Sequence, residues 1–172
     1  MELISFLDLD TADIHRIWEW RNHASIRQWM YTSDEITLEN HLAFVSNLKG
    51  KSDRSYFLGI EESQEKVGVV SFTDMNRLHG HCRGGIYVSP YYNGPPGVGM
   101  RLLEALMQQV FLKEGMNCLR MEVLTENLKA ERLYRKAGFI EEGVYREYVL
   151  FPKRCDVKIY SILKEEYVNR KS

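Results

Sequence analysis

Two stretches of the sequence place chemically capable groups at telling intervals. The first runs Tyr87-Val-Ser-Pro-Tyr-Tyr-Asn-Gly-Pro-Pro-Gly-Val-Gly-Met-Arg-Leu-Leu103. It begins as a strand, breaks at a Pro/Gly-rich loop and restarts as a helix. A helix start leaves its first N–H groups without partners inside the helix, and the helix dipole adds positive character there. Gly97 and Gly99 carry no side chain, so an anion can approach the backbone closely. Gly97, Val98, Gly99, Met100 and Arg101 are therefore predicted to seat a phosphate-bearing ligand, a diphosphate above all. The second stretch runs from Asn127 to Gly138. Asn127 is a good helix N-cap and Gly138 a good stop. Between them Ala130, Leu133, Tyr134 and Ala137 form an inner stripe, which turns Tyr134 toward the sheet. Such a tyrosine is either packed in the core or a proton donor, with an ordinary pKa of roughly 10.

Those groups need a scaffold. Leu3–Leu7 is predicted as a short strand, and Asp10 or Thr11 as the cap of a helix carrying Ile14, Ile17, Trp18 and Arg21 to about Asn22. A second helical piece is predicted over Ser25–Met30. Thr37 caps a third helix, with inner stripe Leu38, Leu42, Val45 and Leu48 and with His41 at its edge. The pattern then changes. Tyr56–Ile60, Val67–Met75 and His81–Val88 read as closely spaced strands, an antiparallel meander. After the glycine loop, Leu102, Leu103, Leu106 and Val110 form the buried face of a helix that ends near Gly115. Leu119–Leu124 is the next strand, and strand–helix–strand order favours parallel pairing through a right-handed crossover. Gly143–Leu150 and Cys155–Leu163 are the last strands. The expected fold is α/β in the α+β sense: one domain over residues 1–172, with a mixed, mostly antiparallel seven-stranded sheet and helices on both faces.

Composition narrows the function. A net charge of -1 gives no electrostatic reason to expect nucleic acid or an acidic membrane as partner. No apolar run is long enough to span a bilayer, and the acidic, interrupted N-terminus is not expected to act as a signal peptide. A cytoplasmic location is expected. Cys82, Cys118 and Cys155 contain no CxxC pair, and His79 and His81 lack a third ligand, so neither a metal nor a disulfide framework is expected.

Three local patterns coincide in order: Gly97-Val-Gly99 after Val88-Ser-Pro, Glu122-Val-Leu-Thr-Glu-Asn127 before Ala130, and Leu133-Tyr-Arg-Lys-Ala-Gly138-Phe139. Over roughly Gly84–Ile140 they resemble the GCN5-related N-acetyltransferase (GNAT) superfamily. The resemblance implies acetyl-CoA as donor, an amine as acceptor and direct attack in a ternary complex. It puts the pantetheine arm along the strand ending Ile86-Tyr87-Val88, splayed from Leu119–Leu124. It assigns the diphosphate to residues 97–101, a further CoA contact to Asn127, and the role of general acid toward the leaving thiolate to Tyr134. One position departs from the family. Where the loop usually opens with Arg or Gln, this chain has Gly94, followed by Pro95-Pro96. One side-chain contact to the diphosphate is therefore missing, and the loop is stiffer.

The N-terminal half carries a second resemblance. Trp20-Arg-Asn-His23, Trp29-Met-Tyr-Thr32, His41-Leu-x-Phe44 and Tyr56-Phe-Leu58 resemble a narrower group, the UDP-amino-sugar N-acetyltransferases of pseudaminic acid biosynthesis. This implies a UDP-4-amino-4,6-dideoxy sugar as acceptor, contacted by Arg21, Trp29, His41, Thr73 and Tyr87. Arginine suits a diphosphate because its planar fork makes paired hydrogen bonds. Plainer roles stand beside these: Arg21 bridging two helices, His41 a satisfied histidine, Trp29 a core residue. Ser71 shares a strand face with Thr73 and is expected to help hold the amine. No carboxylate lies in Gly84–Ser89, and neither Glu122 nor Glu126 is forced into the slot, so no strong carboxylate base is expected. The C-terminal words Gly143-Val-Tyr-Arg-Glu and Asp156-Val-Lys-Ile-Tyr resemble ribosomal-protein alanine and spermidine acetyltransferases. A protein N-terminus or a polyamine is thus the alternative acceptor, and a CoA-binding domain without turnover a further alternative. An edge strand near the C-terminus could pair two copies into a homodimer.

Overall fold

The computed structural model describes residues 1–150 and 153–170. Its strands are β1 Glu2–Ser5, β2 Ser55–Ile60, β3 Lys66–Asn76, β4 His81–Val88, β5 Cys118–Leu124, β6 Ile140–Val149 and β7 Cys155–Leu163. They form one sheet in the order β1-β2-β3-β4-β5-β7-β6. Every pairing is antiparallel except β4 with β5. The one parallel joint falls at the strand–helix–strand unit, where a crossover demands it.

The helices are α1 Thr11–Asn22, α2 Ala24–Arg27, α3 Leu38–Ser46, α4 Val98–Gln108, α5 Leu128–Lys136 and α6 Lys164–Asn169. Two apolar clusters mark the two covered faces. On one, Phe6, Ile17, Trp20 and Leu48 pack against Leu58 and Val69. On the other, Leu102, Leu103, Leu106, Val110 and Tyr134 pack against Val70, Phe72, Met121 and Tyr160. Alternation along β3 produces the split: Val69 looks toward α1, its neighbours Val70 and Phe72 toward α4. Each leucine of the α4 stripe is wholly buried, contributing about 2 kcal/mol by area removed from water.

Several local expectations need correction. The first strand is shorter than Leu3–Leu7, because the Ser5 hydroxyl accepts the Leu7 N–H and bends Phe6–Asp8 into a 3₁₀ turn. The second helical piece stops at Arg27. On α3, Leu42 is exposed and His41 takes the inward position, between Leu38 and Val45. A polar ring is tolerable there because its Nε2 sits 3.2 Å from the Ile14 carbonyl. Past α4 the chain makes a π-helical turn, Gln109–Lys113, before Gly115 ends it. Helix α6 was not foreseen; the Glu166 carboxylate fixes its start by accepting the Leu163 N–H at 2.8 Å.

Candidate active site

β4 and β5 pair only over His81–Gly84 and Cys118–Met121. Beyond Gly84, β4 keeps β3 as its partner to Val88, while β5 keeps β7 to Leu124. The two strands part as a fork, leaving the Gly85–Val88 edge of β4 without a strand on that side. Backbone donors and acceptors on such an edge can hold an extended ligand as they would a strand. The fork also connects the two faces of the sheet. Ile86 and Val88 lie with the α4 cluster, whereas Arg83, Gly85 and Tyr87 share the other face with Thr73, Ser71 and Val69 across the register.

On the α4 face, Gly97 starts the helix at φ +92°, a left-handed conformation that costs other residues about 1–2 kcal/mol. The Gly97 carbonyl accepts the Met100 and Arg101 N–H groups at 2.9 and 3.1 Å. The Val98 and Gly99 N–H groups are left without a partner among the described residues. A Cβ on Gly99 would lie 3.6 Å from Leu133 and 3.8 Å from Val88. The start of α4, the end of β4 and the flank of α5 thus meet at one point. Free N–H groups at the positive end of a helix, beside an unpaired strand edge, fit the diphosphate and the extended arm of acetyl-CoA. The Arg101 side chain, by contrast, is engaged elsewhere: it donates to Glu61 (2.7 Å), to the Pro96 carbonyl (3.1 Å) and to the Tyr92 hydroxyl (3.1 Å). Asn127 caps α5 through Oδ1, which accepts the Ala130 N–H at 3.1 Å. Tyr134 is only 5% exposed and sits between the rings of Phe139 and Tyr160. Burial pushes its phenol above the ordinary tyrosine range, so it stays protonated near neutral pH.

The α1 face is built differently. Ser71 lies opposite Gly85, with its Oγ 2.8 Å from where a Gly85 Cβ would be. The hydroxyl therefore rests over bare β4 backbone at the mouth of the fork. Thr73 comes next on that face, 3.4 Å from the Asp74 carboxylate. Tyr87 is pushed up by burial and drawn back by the charge of Arg21. Arg21 donates from Nη2 to the Thr32 carbonyl at 3.3 Å, while its Nη1 is buried with no partner. Burial pulls the guanidinium below its usual range. A buried donor left unpaired costs about 1–3 kcal/mol, so Nη1 keeps a hydrogen-bonding capacity that the described residues do not use.

Two of the anticipated contacts are not gathered there. His41 is buried on the Ile14 carbonyl, two turns of α1 before Arg21 and about 10 Å along the axis. Trp29 is exposed on the segment between α2 and α3 and has no ring contact among the described residues. In their place stands a cluster the sequence reading missed. Arg83 bridges Glu122 (3.0 Å) and Asp74 (2.7 Å), and the Tyr31 hydroxyl donates to Glu122 at 2.6 Å. Alternation was the available signal: Arg83 shares a face with Gly85 and Tyr87, and its pairing with Arg120 sets Glu122 beside it. Asp74 gave none, because its φ of +53° belongs to a bulge between Thr73 and Asn76.

A splayed parallel joint, an open helix start and an inward tyrosine fit the site of an acetyl-CoA-dependent N-acetyltransferase. The chain belongs to the acetyltransferase (GNAT) domain family, whose model matches residues 4–140; this sets aside the reading without turnover. Acetyltransferase PseH of Campylobacter jejuni is 32% identical over 139 residues, which are 81% of this chain and 84% of that protein. Spermidine N(1)-acetyltransferase of Vibrio cholerae is 26% identical over 165 residues, 94% of both proteins. The crystal structure of spermidine N-acetyltransferase from Vibrio cholerae in complex with CoA and spermine shares the fold, with a TM-score of 0.89 and 22% identity over 98% of each chain.

Proposed function

We propose that the chain transfers acetyl from acetyl-CoA to the 4-amine of a UDP-4-amino-4,6-dideoxy sugar, in the manner of pseudaminic acid biosynthesis. The observation that carries this reading is the buried, unpartnered Nη1 of Arg21 beside Tyr87. A diphosphate would complete that guanidinium with anionic oxygens. A polyamine would bring only further positive charge. The similarity to PseH supports the same acceptor class. In this reading Arg21, Tyr87 and Thr73 hold the nucleotide sugar, and Ser71 steers the amine to the fork. The free N–H groups of Val98 and Gly99, with Asn127, hold CoA. The β4 backbone at Val88 meets the developing oxyanion, and Tyr134 returns a proton to the departing sulfur.

A polyamine acceptor is the second reading. Glu122 and Asp74 favour it as carboxylates on the acceptor face, as does the similarity to spermidine acetyltransferases. Arg83 already offsets the charge of both carboxylates, through Glu122 Oε2 and Asp74 Oδ2. The deciding assay is thiol release from acetyl-CoA with the UDP-4-amino sugar, with spermidine and with an alanine-terminated peptide. Release with the sugar alone is expected. Release with spermidine and none with the sugar would reassign the acceptor.

A further inference from the structure

The donor loop of this chain lacks the side chain that would reach the diphosphate, yet it is not loose. Pro95 and Pro96 have no N–H, so the loop cannot be braced by its own backbone donors there. Its carbonyls are braced instead. The Tyr92 hydroxyl donates to the Pro95 carbonyl at 2.9 Å, and Arg101 donates to the Pro96 carbonyl and to the Tyr92 oxygen. Glu61, at the end of β2, anchors the same guanidinium through Nε. A Cβ at position 94 would come within 2.6 Å of the Tyr92 hydroxyl oxygen and 2.7–2.8 Å of its ring. Gly94 is therefore what lets the tyrosine fold back over the loop. The residue that breaks the family pattern is the residue this brace requires.

We propose that Arg101, Tyr92 and Glu61 are positioning residues for acetyl-CoA. They do not reach the diphosphate themselves. They hold loop 92–96 so that the N–H groups at the start of α4 converge on it. Three acceptors in three directions engage all three nitrogens of the guanidinium fork, which a lysine cannot reproduce. Holding the loop in its bound shape removes an ordering cost that binding would otherwise carry. The inference needs only the acetyl-CoA donor and is independent of the acceptor.

The test compares acetyl-CoA with a truncated donor, S-acetylpantetheine, which has no diphosphate, in Tyr92→Phe, Arg101→Gln and Arg101→Lys. CoA binding is measured by calorimetry without any acceptor, so a mistaken acceptor does not enter. Tyr92→Phe should weaken CoA binding roughly fivefold to tenfold and Arg101→Gln more, as expected for one and several hydrogen bonds. Binding of S-acetylpantetheine, measured in the same way, should stay within about twofold. Arg101→Lys should behave like Arg101→Gln. Unchanged CoA affinity in Tyr92→Phe, or equal weakening of both donors, overturns the proposal. So does full rescue by lysine, since a point charge would then be acting on the phosphate directly.

Discussion

The two sides of the fork are finished to different degrees. On the donor side the Arg101 side chain has three partners and Asn127 caps its helix, while among the described residues the backbone N–H groups of Val98 and Gly99 have no partner. On the α1 side, proposed to take the acceptor, the group without a partner among the described residues is a charged side chain, the Nη1 of Arg21. A backbone donor at a helix start is fixed by the fold and serves any diphosphate. A side-chain donor is set by one residue and can be gained or lost by one substitution. In the proposed reading the common substrate is held by architecture and the variable one by side chains.

The largest break should come where the two sides meet. Tyr134→Phe removes the phenol oxygen proposed to protonate the leaving sulfur and keeps the ring beside Phe139 and Tyr160. We expect kcat to fall by about 100-fold or more, the usual scale for losing a general acid, with CoA affinity by calorimetry little changed. Unaltered turnover would return Tyr134 to the core. The next effect is confined to the acceptor side. Arg21→Ala should raise the KM for the nucleotide sugar by roughly 10- to 100-fold, the equivalent of charge-assisted hydrogen bonds, and leave the acetyl-CoA KM alone. A wild-type sugar KM would make Arg21 a strut for the Thr32 carbonyl and no more.

What was legible in the sequence follows the same division. The donor side is one continuous stretch of chain, and local rules govern it: a left-handed glycine, a helix start, a cap at Asn127, a 3.6-residue stripe through Tyr134. Those features stood where spacing put them. The acceptor side is assembled from α1, the 28–37 segment, β3, β4 and β5, and its contacts span large separations, such as Tyr31 with Glu122. Hydrophobic periodicity reports which way a residue faces and not what faces it. Glu122 was therefore seen without its partners, and Arg83 was not singled out. His41 misled for a related reason: helical spacing gives it and Leu42 nearly equal claim to the inner face, and a carbonyl on another helix decided between them.

A substitution at the start of α4 separates architecture from contact on the donor side. Gly99 has no positive φ, and a Cβ there would meet Leu133 and Val88 at ordinary contact distance. Gly99→Ala should fold with a near-wild-type Tm and yet raise the acetyl-CoA KM several-fold, because the methyl group stands where the diphosphate approaches the backbone. Gly97→Ala should do the reverse in part, losing about 1–2 kcal/mol of stability to the left-handed backbone as measured by denaturant unfolding. If both variants lost stability and neither lost acetyl-CoA affinity, the helix start would be structure alone.

The smallest effect tests whether His41 belongs to the acceptor side at all. Its ring is 5% exposed and bonded to the Ile14 carbonyl, and burial depresses its pKa, with the charge of His15 acting the same way. A depressed folded pKa means that the unfolded chain binds the proton first. Stability should therefore decline as pH falls through the unfolded value of roughly 6.5, and the decline should level off below the folded pKa. His41→Gln keeps a donor for the Ile14 carbonyl and removes the titration. The drop in Tm between pH 7.5 and pH 5.5 should be smaller in the variant, and the sugar KM at pH 7.5 should be unchanged. The outcome against this account is a raised sugar KM with an unaltered Tm profile. That result would move His41 from the α1–α3 packing into the nucleotide-sugar site and leave Arg21 no longer alone there.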